Sequence, residues 1–229
     1  MKTKNTANDF PQVTIDFLTR LSRNNNREWF ESHRQEFEMH FLEPAQKFVL
    51  EMGSKLQDIA PQINAIPKID QSIFRIHRDV RFSKDKAPYK TNLGIYFWEG
   101  TRKKMDSSGF YFHIEPKLFF IGVGMYMLSK EDLKKFRDAV ADQRKGKELH
   151  TIVTKLTKNK KFKLGGESYK KIPKGYPDNL PRSKYLLHSG LYLYYEDDHS
   201  KLLKSNPVSF TFKIFKDMLP LHNWFVKNI

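Results

Sequence analysis

A short segment of the chain, residues 72–92, concentrates side chains that could bind an anion. Its ligand-binding candidates are six Arg and Lys residues: Arg75, Arg78, Arg81, Lys84, Lys86 and Lys90. Arginine forms paired hydrogen bonds to carboxylate and phosphate oxygens, and lysine adds a compact positive charge. The composition of this segment therefore predicts a site for a phosphorylated or otherwise anionic ligand, and it leaves the identity of that ligand open.

The first half of this segment alternates as a half-buried strand does, which would group its polar side chains on one face. The polar face would carry Arg75, His77, Asp79 and Arg81, and the apolar face Phe74, Ile76, Val80 and Phe82. This assignment follows from the two-residue period of a strand. Arg78 falls on the apolar side, where we expect it to form an ion pair with an acidic residue of the first helices.

A second polar alternation, in residues 109–115, supplies groups that could transfer a proton. If its polar face and that of residues 74–82 belong to one sheet and point the same way, they form a concave array. The candidate catalytic residues of that array are His77, Asp79, His113 and Glu115. A histidine would transfer the proton, and a carboxylate would orient that histidine. The alternative is an ordinary solvated face, on which an ion pair such as Arg81 with Glu115 contributes little.

The hydrophobic pattern predicts the elements that must position these side chains. Helices are expected over 13–21, 27–41 and 44–59, then from 129, about 148–157, and from 207 to a break at Pro220. Strands are expected over 74–82, 93–98, 109–115, 118–126 and 191–195, and residues 158–176 are expected to form a loop. Asn26 and Ser129 are predicted helix caps. The sequence therefore predicts an α+β fold with a central, mainly antiparallel sheet of about five strands, flanked by N- and C-terminal helices.

Length and composition narrow the class of protein. A chain of 229 residues fits a single domain, 1–229, with residues 1–10 as a flexible tail. We find neither a secretory signal nor an apolar run near the roughly 20 residues that span a bilayer, so we expect no membrane association and a cytoplasmic location. The sequence has no Cys, and its His residues lack metal-ligand spacing, so we expect no metal and no cofactor. The oligomeric state stays open.

The net charge of +15 adds two further function classes. Residues 1–71 hold 9 Lys/Arg against 10 Asp/Glu, whereas the remainder holds 32 against 16, a net charge of +16. A surface with this charge, together with the Lys-rich region 144–174, could bind nucleic acid without catalysis. It could also form the basic face of a protein-interaction domain. Whether the chain is an enzyme is left open.

Four segments of the sequence are similar to those of a known family. They are residues 25–30, 74–90, 112–116 and 173–176, which read NNREWF, FRIHRDVRFSKDKAPYK, FHIEP and PKGY. In this order they resemble the bacterial and fungal family catalogued as domain of unknown function 2461. The resemblance covers nearly the whole chain. It implies a single domain and adds no reaction.

Overall fold

The structure is a computed structural model that describes residues 10–229. Its helices are α1 (Gln12–Arg23), α2 (Arg27–Ser32), α3 (Arg34–Phe37), α4 (Glu43–Gln57), α5 (Lys130–Ala141), α6 (Gln143–Thr157), α7 (Ser200–Leu203) and α8 (Pro207–Asn228). Its strands are β1 (Ile63–Asn64), β2 (Leu93–Glu99), β3 (Gly109–Ile114), β4 (Phe119–Met125), β5 (Lys163–Glu167) and β6 (His188–Asp197). A π-helical turn, Glu38–Leu42, joins α3 to α4. Within the described range, none of the helices has the length and apolarity needed to cross a membrane.

The six strands form one sheet in the order β1-β2-β3-β4-β6-β5, and every neighbouring pair is antiparallel. The predicted α+β class with a mainly antiparallel sheet is therefore confirmed, with six strands rather than about five. The additional strands are β1 and β5. β5 lies inside residues 158–176, where a loop was predicted. Two of its five residues are Gly, so the local sequence carries little strand propensity, and pairing with β6 determines its conformation.

One face of the sheet packs against helices and forms the core. Phe112 of β3 stacks on Phe48 of α4 with ring centroids 4.4 Å apart, and Phe110 meets Phe215 of α8 at 5.2 Å. Phe10, the first described residue, contacts Phe48 as well. Phe10 is the one residue of the predicted tail, 1–10, that the structure describes. Residues 1–9 lie outside the described range.

The helix signals in the sequence are largely confirmed. The side chain of Asn26 accepts a hydrogen bond from the Trp29 N–H at the start of α2, and Ser129 accepts one from Asp132 at the start of α5. The predicted break at Pro220 is wrong, because α8 continues through it to Asn228. A proline inside a helix costs about 3 kcal/mol. Burial of Trp224 and of the other apolar side chains that follow Pro220 in the helix offsets that cost.

The predicted strand over residues 74–82 is wrong. This stretch is irregular and makes only an isolated bridge between His77 and Tyr89 within the described structure. Asp79 accepts a hydrogen bond from the Arg81 backbone N–H, and Asp85 accepts one from the Ala87 N–H. Such bonds to the backbone two residues later favour turns and compete with a strand ladder. The expected concave array of two polar strand faces therefore does not form.

The second face of the sheet, which we call the open face, alternates tyrosines with glycines. Its central residues are Gly94, Tyr96, Gly109, Tyr111, His113, Phe120, Gly122, Gly124, Tyr192 and Tyr194. A Cβ added to Gly109 would lie 2.6 Å from the Tyr96 ring, and one added to Gly122 would lie 2.9 Å from the Phe120 ring. The aromatic rings therefore lie over neighbouring glycines, where side chains would displace them.

Candidate functional site

The open face carries a cavity of about 650 Å³, which we call the open-face cavity. Aromatic side chains and glycines make up most of its wall, and a few polar groups meet at one end. Its residues are Phe74, Lys90, Asn92, Tyr96, Met105, Gly109, Tyr111, His113, Glu115, Leu118, Phe120, Gly122, Val123, Gly124, Tyr126, Tyr192 and Glu196. A concave, largely apolar pocket with a small number of converging polar groups is typical of small-molecule sites.

A chain of hydrogen bonds runs along β3 inside the cavity. The Tyr111 hydroxyl lies 2.9 Å from His113 Nδ1, and His113 Nε2 lies 3.4 Å from a carboxylate oxygen of Glu115. These three residues alternate along the strand, so their side chains point to the same face. The distances fit the imidazole tautomer that donates Nε2–H to Glu115 and accepts at Nδ1 from Tyr111. The Asn92 amide nitrogen, 3.4 Å from Nδ1, borders the same atom.

Burial determines the protonation states of His113 and Tyr111. It lowers the pKa of His113 below its usual value, and the hydrogen bond and charge of Glu115 oppose that shift only in part. Burial also raises the pKa of Tyr111, so its hydroxyl keeps its proton. The lowered pKa favours the neutral imidazole, whose Nδ1 can accept a proton. This chemistry is what general acid–base catalysis requires.

Two lysines meet at Phe74, a residue of the cavity wall; Lys90 also borders the cavity, whereas Lys104 lies behind Phe74 outside its wall. The Lys104 ammonium lies 4.0 Å from the centre of the Phe74 ring, and that of Lys90 lies 5.8 Å from it. Lys90 donates to the Arg75 carbonyl at 3.0 Å, and Lys104 donates to the Gln71 carbonyl at 2.5 Å. Among residues 10–229 neither lysine forms an ion pair with a carboxylate.

The environment of both lysines disfavours their positive charge. Burial lowers the pKa of Lys90, and the nearby Arg75 lowers it further, although Asp70 acts in the opposite direction. Burial also lowers the pKa of Lys104, where Asp70 partly compensates and the charge of Lys90 adds to the shift. An anion placed beside these ammonium groups would stabilise their charged forms.

The predicted cationic residues Arg78, Arg81 and Lys86 are instead occupied within a segment that we call the basic loop, residues 78–86. The Arg78 guanidinium pairs with Asp85 at 2.6 Å and donates to the Ala87 carbonyl at 3.0 Å. Asp85 is thus its partner, and the prediction of one in the first helices is wrong. Arg81 makes a two-point contact with Asp79, at 2.9 and 2.7 Å, rather than the pair with Glu115 that we considered. The Lys86 ammonium donates to the Val80 carbonyl at 3.0 Å.

The other predicted residues separate into two locations. The Arg75 and Lys84 side chains are exposed, and His77 is exposed beside Tyr89, with ring centroids 5.1 Å apart. By contrast, His113, Glu115 and Lys90 come together in the cavity. Sequence reasoning did not identify its aromatic and glycine residues. The alternation of Gly with Tyr in residues 94–96 and 109–111 is the signal that could have indicated them.

A second hydrogen-bonded chain lies on the opposite face of the sheet. His222 of α8 places Nδ1 3.0 Å from the Ser108 hydroxyl and Nε2 2.7 Å from a Glu99 carboxylate oxygen. These residue types also occur in hydrolase triads, but here His222 and Ser108 are buried in the core and neither borders the open-face cavity. The hydrogen bond from His222 lowers the pKa of Glu99. We assign this chain the structural role of tying α8 to the sheet.

Comparison with known proteins agrees with the resemblance seen in the sequence. The model of a family described as "Conserved hypothetical protein (DUF2461)" matches residues 13–224. No curated protein matches the chain. Two of the segments that carry the resemblance, 74–90 and 112–116, both contribute to the cavity, through Lys90 and through His113 and Glu115. The chain belongs to the DUF2461 family.

Proposed function

We propose that this member of the DUF2461 family binds a small anionic ligand in the open-face cavity. The observation that carries the proposal is the pair of lysines at Phe74, both of which have lowered pKa values and neither of which has an ion-pair partner among the described residues. Cations that are already paired with carboxylates, such as Arg78 and Arg81, would have to exchange one partner for another. Lys90 and Lys104 can bind an anion without losing an existing ion pair.

The same proposal assigns proton transfer to His113. Its imidazole borders the cavity within hydrogen-bonding distance of Tyr111, and Glu115 orients it through Nε2. If the bound ligand reacts, His113 is the group that accepts or donates the proton and Glu115 is the positioning residue. A cytoplasmic location is part of the proposal. It is supported by the absence of Cys from the sequence, which fits a reducing compartment.

A binding panel tests this function. Purified protein would be titrated with inorganic phosphate, sugar phosphates, nucleotides and a short DNA and RNA at low and high salt, with the thermal midpoint as readout. A ligand at 100 times its dissociation constant adds about 2.7 kcal/mol to the free energy of unfolding. We expect a small phosphorylated compound to raise the midpoint with little dependence on salt.

Matched lysine variants locate the response. Lys90→Gln and Lys104→Gln should each weaken binding of the responding compound about tenfold, since a hydrogen bond to a charged group contributes roughly 1.5–3 kcal/mol. Lys86→Gln, in the basic loop, is the control and should bind as wild type does. Equal binding by all three variants would place the anion elsewhere and contradict the proposal.

The panel also separates the two remaining function classes. The excess positive charge beyond residue 71 favours a nucleic-acid-binding module as the second candidate. A module of that kind would respond only to the oligonucleotides and would lose affinity steeply with salt, because several phosphates are neutralised together. A protein-interaction domain would respond to none of these ligands.

A further inference from the structure

We infer that the ligand of the open-face cavity carries a planar aromatic or heteroaromatic ring in addition to its anionic group, and that the ring lies against Tyr111, Phe120 and Tyr192. This inference rests on the proposed function. It specifies the chemical class as one to which nucleotides belong. Four features of the cavity support it: its two unlike ends, its glycines covered by aromatic rings, its mutually fixed rings and its exposed aromatic rim.

The cavity has a polar end and an aromatic end. Lys90, Asn92, His113, Glu115 and Glu196 form the polar end. Gly109, four residues before His113 on the same strand, marks the other, so the ends are about 14 Å apart at 3.4 Å per residue. That distance suits a molecule with two chemically different parts. A lone inorganic anion would occupy the polar end and leave the rest of the cavity unfilled.

Glycines at the aromatic end allow the aromatic rings to lie close to the sheet. Gly109 of β3 and Gly124 of β4 pair directly across the two strands, and Gly122 pairs with Tyr111. The Tyr96 ring lies over Gly109 and the Phe120 ring lies over Gly122, where an added Cβ would be 2.6 and 2.9 Å from them. The rings, rather than the backbone, therefore form the surface that a flat group would contact.

The rings around these glycines hold one another in place. Phe120 stacks on Tyr194 with centroids 4.8 Å apart and planes at 24°, and it meets Tyr111 edge-on at 5.9 Å. Tyr126 and Tyr192 pack at 5.8 Å on the far side. Rings that are fixed before binding lose little conformational freedom when a ligand arrives. Offset and edge-to-face contacts also favour a planar partner over a flexible chain.

The aromatic rim remains accessible to solvent. Tyr126 is 64% exposed and Met105 is 42% exposed, and Tyr111, Phe120 and Tyr192 are half-buried. Contiguous exposed apolar surface usually marks a binding site. Because the polar end lies in the same cavity, one ligand can contact both surfaces, which favours a small amphiphilic molecule.

A set of related probes tests for the ring, and none of them needs to be the natural ligand. AMP and UMP carry a base and a phosphate, ribose 5-phosphate lacks the base, adenosine lacks the phosphate, and hexyl phosphate replaces the ring with a chain. We expect both nucleotides to bind roughly tenfold or more tightly than ribose 5-phosphate, as stacking of one base on an aromatic side chain predicts. Dissociation constants from calorimetry or fluorescence would be compared at one salt concentration.

Variants of the protein test where the ring of the ligand lies. Phe120→Leu should weaken AMP binding about tenfold and leave binding of ribose 5-phosphate unchanged, whereas Phe82→Leu, at a side chain that is 95% exposed, should change neither. If Phe120→Leu fails to fold, Tyr192→Leu provides a second test. It removes another ring of the same cavity, and the same pair of results is expected.

The outcomes separate this inference from the function on which it rests. If ribose 5-phosphate or hexyl phosphate binds as tightly as AMP, the inference that the ligand carries a ring is overturned and the proposal of anion binding stands. If adenosine binds as tightly as AMP, the anion site is overturned and the aromatic surface stands. Binding of a ten-nucleotide single strand without binding of mononucleotides overturns both in favour of a nucleic-acid surface. Failure of every probe to bind at millimolar concentration also overturns both.

Discussion

The basic loop and the open-face cavity contain the same kinds of cationic side chains in opposite electrostatic situations. In the loop, Arg78 and Arg81 each contact a carboxylate of the same loop, and Lys86 donates to a loop carbonyl. At the cavity wall, Lys90 and Lys104 flank the Phe74 ring and repel each other. The two loop arginines have carboxylate partners, whereas these two lysines have none among the described residues. The number of cations in a segment therefore says less about binding than the partners those cations already have.

The largest expected effect tests whether Arg78 is structural. We expect Arg78→Ala to lower the free energy of unfolding by about 2 kcal/mol, because the side chain is only 26% exposed and its loss leaves the Ala87 carbonyl without a donor. Urea unfolding of the variant measures this. Lys84→Ala, an exposed position in the same loop, is the control and should unfold as wild type does. An equally stable Arg78→Ala variant would mean that the loop does not depend on its internal ion pair.

The next effect concerns the charge held in the cavity. Because burial lowers the pKa of Lys90, AMP binding should weaken as the pH rises toward alkaline values, and the loss should begin below the ordinary lysine range. Loss of one charged donor corresponds to about a tenfold weaker affinity. Lys90→Arg keeps its charge throughout that range and should shift the loss to higher pH. An unchanged pH profile in this variant would assign the alkaline transition to another group.

A smaller effect is expected from His113 on the acid side. Its pKa is lowered in the folded protein, so the unfolded chain binds more protons between the folded pKa and the usual value. The stability that neutral His113 contributes is therefore complete above its usual pKa and declines as the pH falls below it. Thermal midpoints between pH 8 and pH 5 should fall less for His113→Gln than for wild type. Parallel curves would mean that His113 titrates normally in the fold.

The smallest effect discriminates most directly between the two regions. The anion site inferred from the sequence requires Arg75→Gln and Arg81→Gln to abolish ligand binding. The cavity proposal expects Arg81→Gln to bind AMP as wild type does, since this side chain is exposed and does not border the cavity. Arg75 lies near Lys90, so Arg81→Gln is the discriminating variant. We also expect no measurable change in stability, because the contact of Arg81 with Asp79 lies in solvent. Loss of binding in Arg81→Gln would favour the basic loop.

The elements that could be predicted from the sequence are those with strong local signals. Four of the six strands and the caps at Asn26 and Ser129 follow from short-range periodicity and capping chemistry. Residues 74–82 show the limit of that approach, because an alternating pattern there competes with turns formed by Asp79 and Asp85. The period of the hydrophobic pattern alone does not show whether the strand or the turns will form.

The candidate site was predictable to the extent that it lies along one strand. His113 and Glu115 are two residues apart on β3, so strand geometry alone places both on one face, and the structure adds Tyr111 to them. The glycines under the rings belong to β3 and β4, and the aromatic walls add Tyr192 from β6. Such a surface depends on the register between strands, which the local sequence does not specify.

By itself the sequence determined the α+β class, the positive charge of the chain and the shared face of His113 and Glu115. Tertiary structure alone decided which cations were paired and which face of the sheet stayed uncovered. The reason is the separation along the sequence of the residues that interact. Helix caps and strand alternation arise from residues a few positions apart, whereas the meeting of Lys90, Lys104 and Phe74 depends on how the intervening chain folds back. That long-range contact places two partly buried positive charges beside an aromatic cavity.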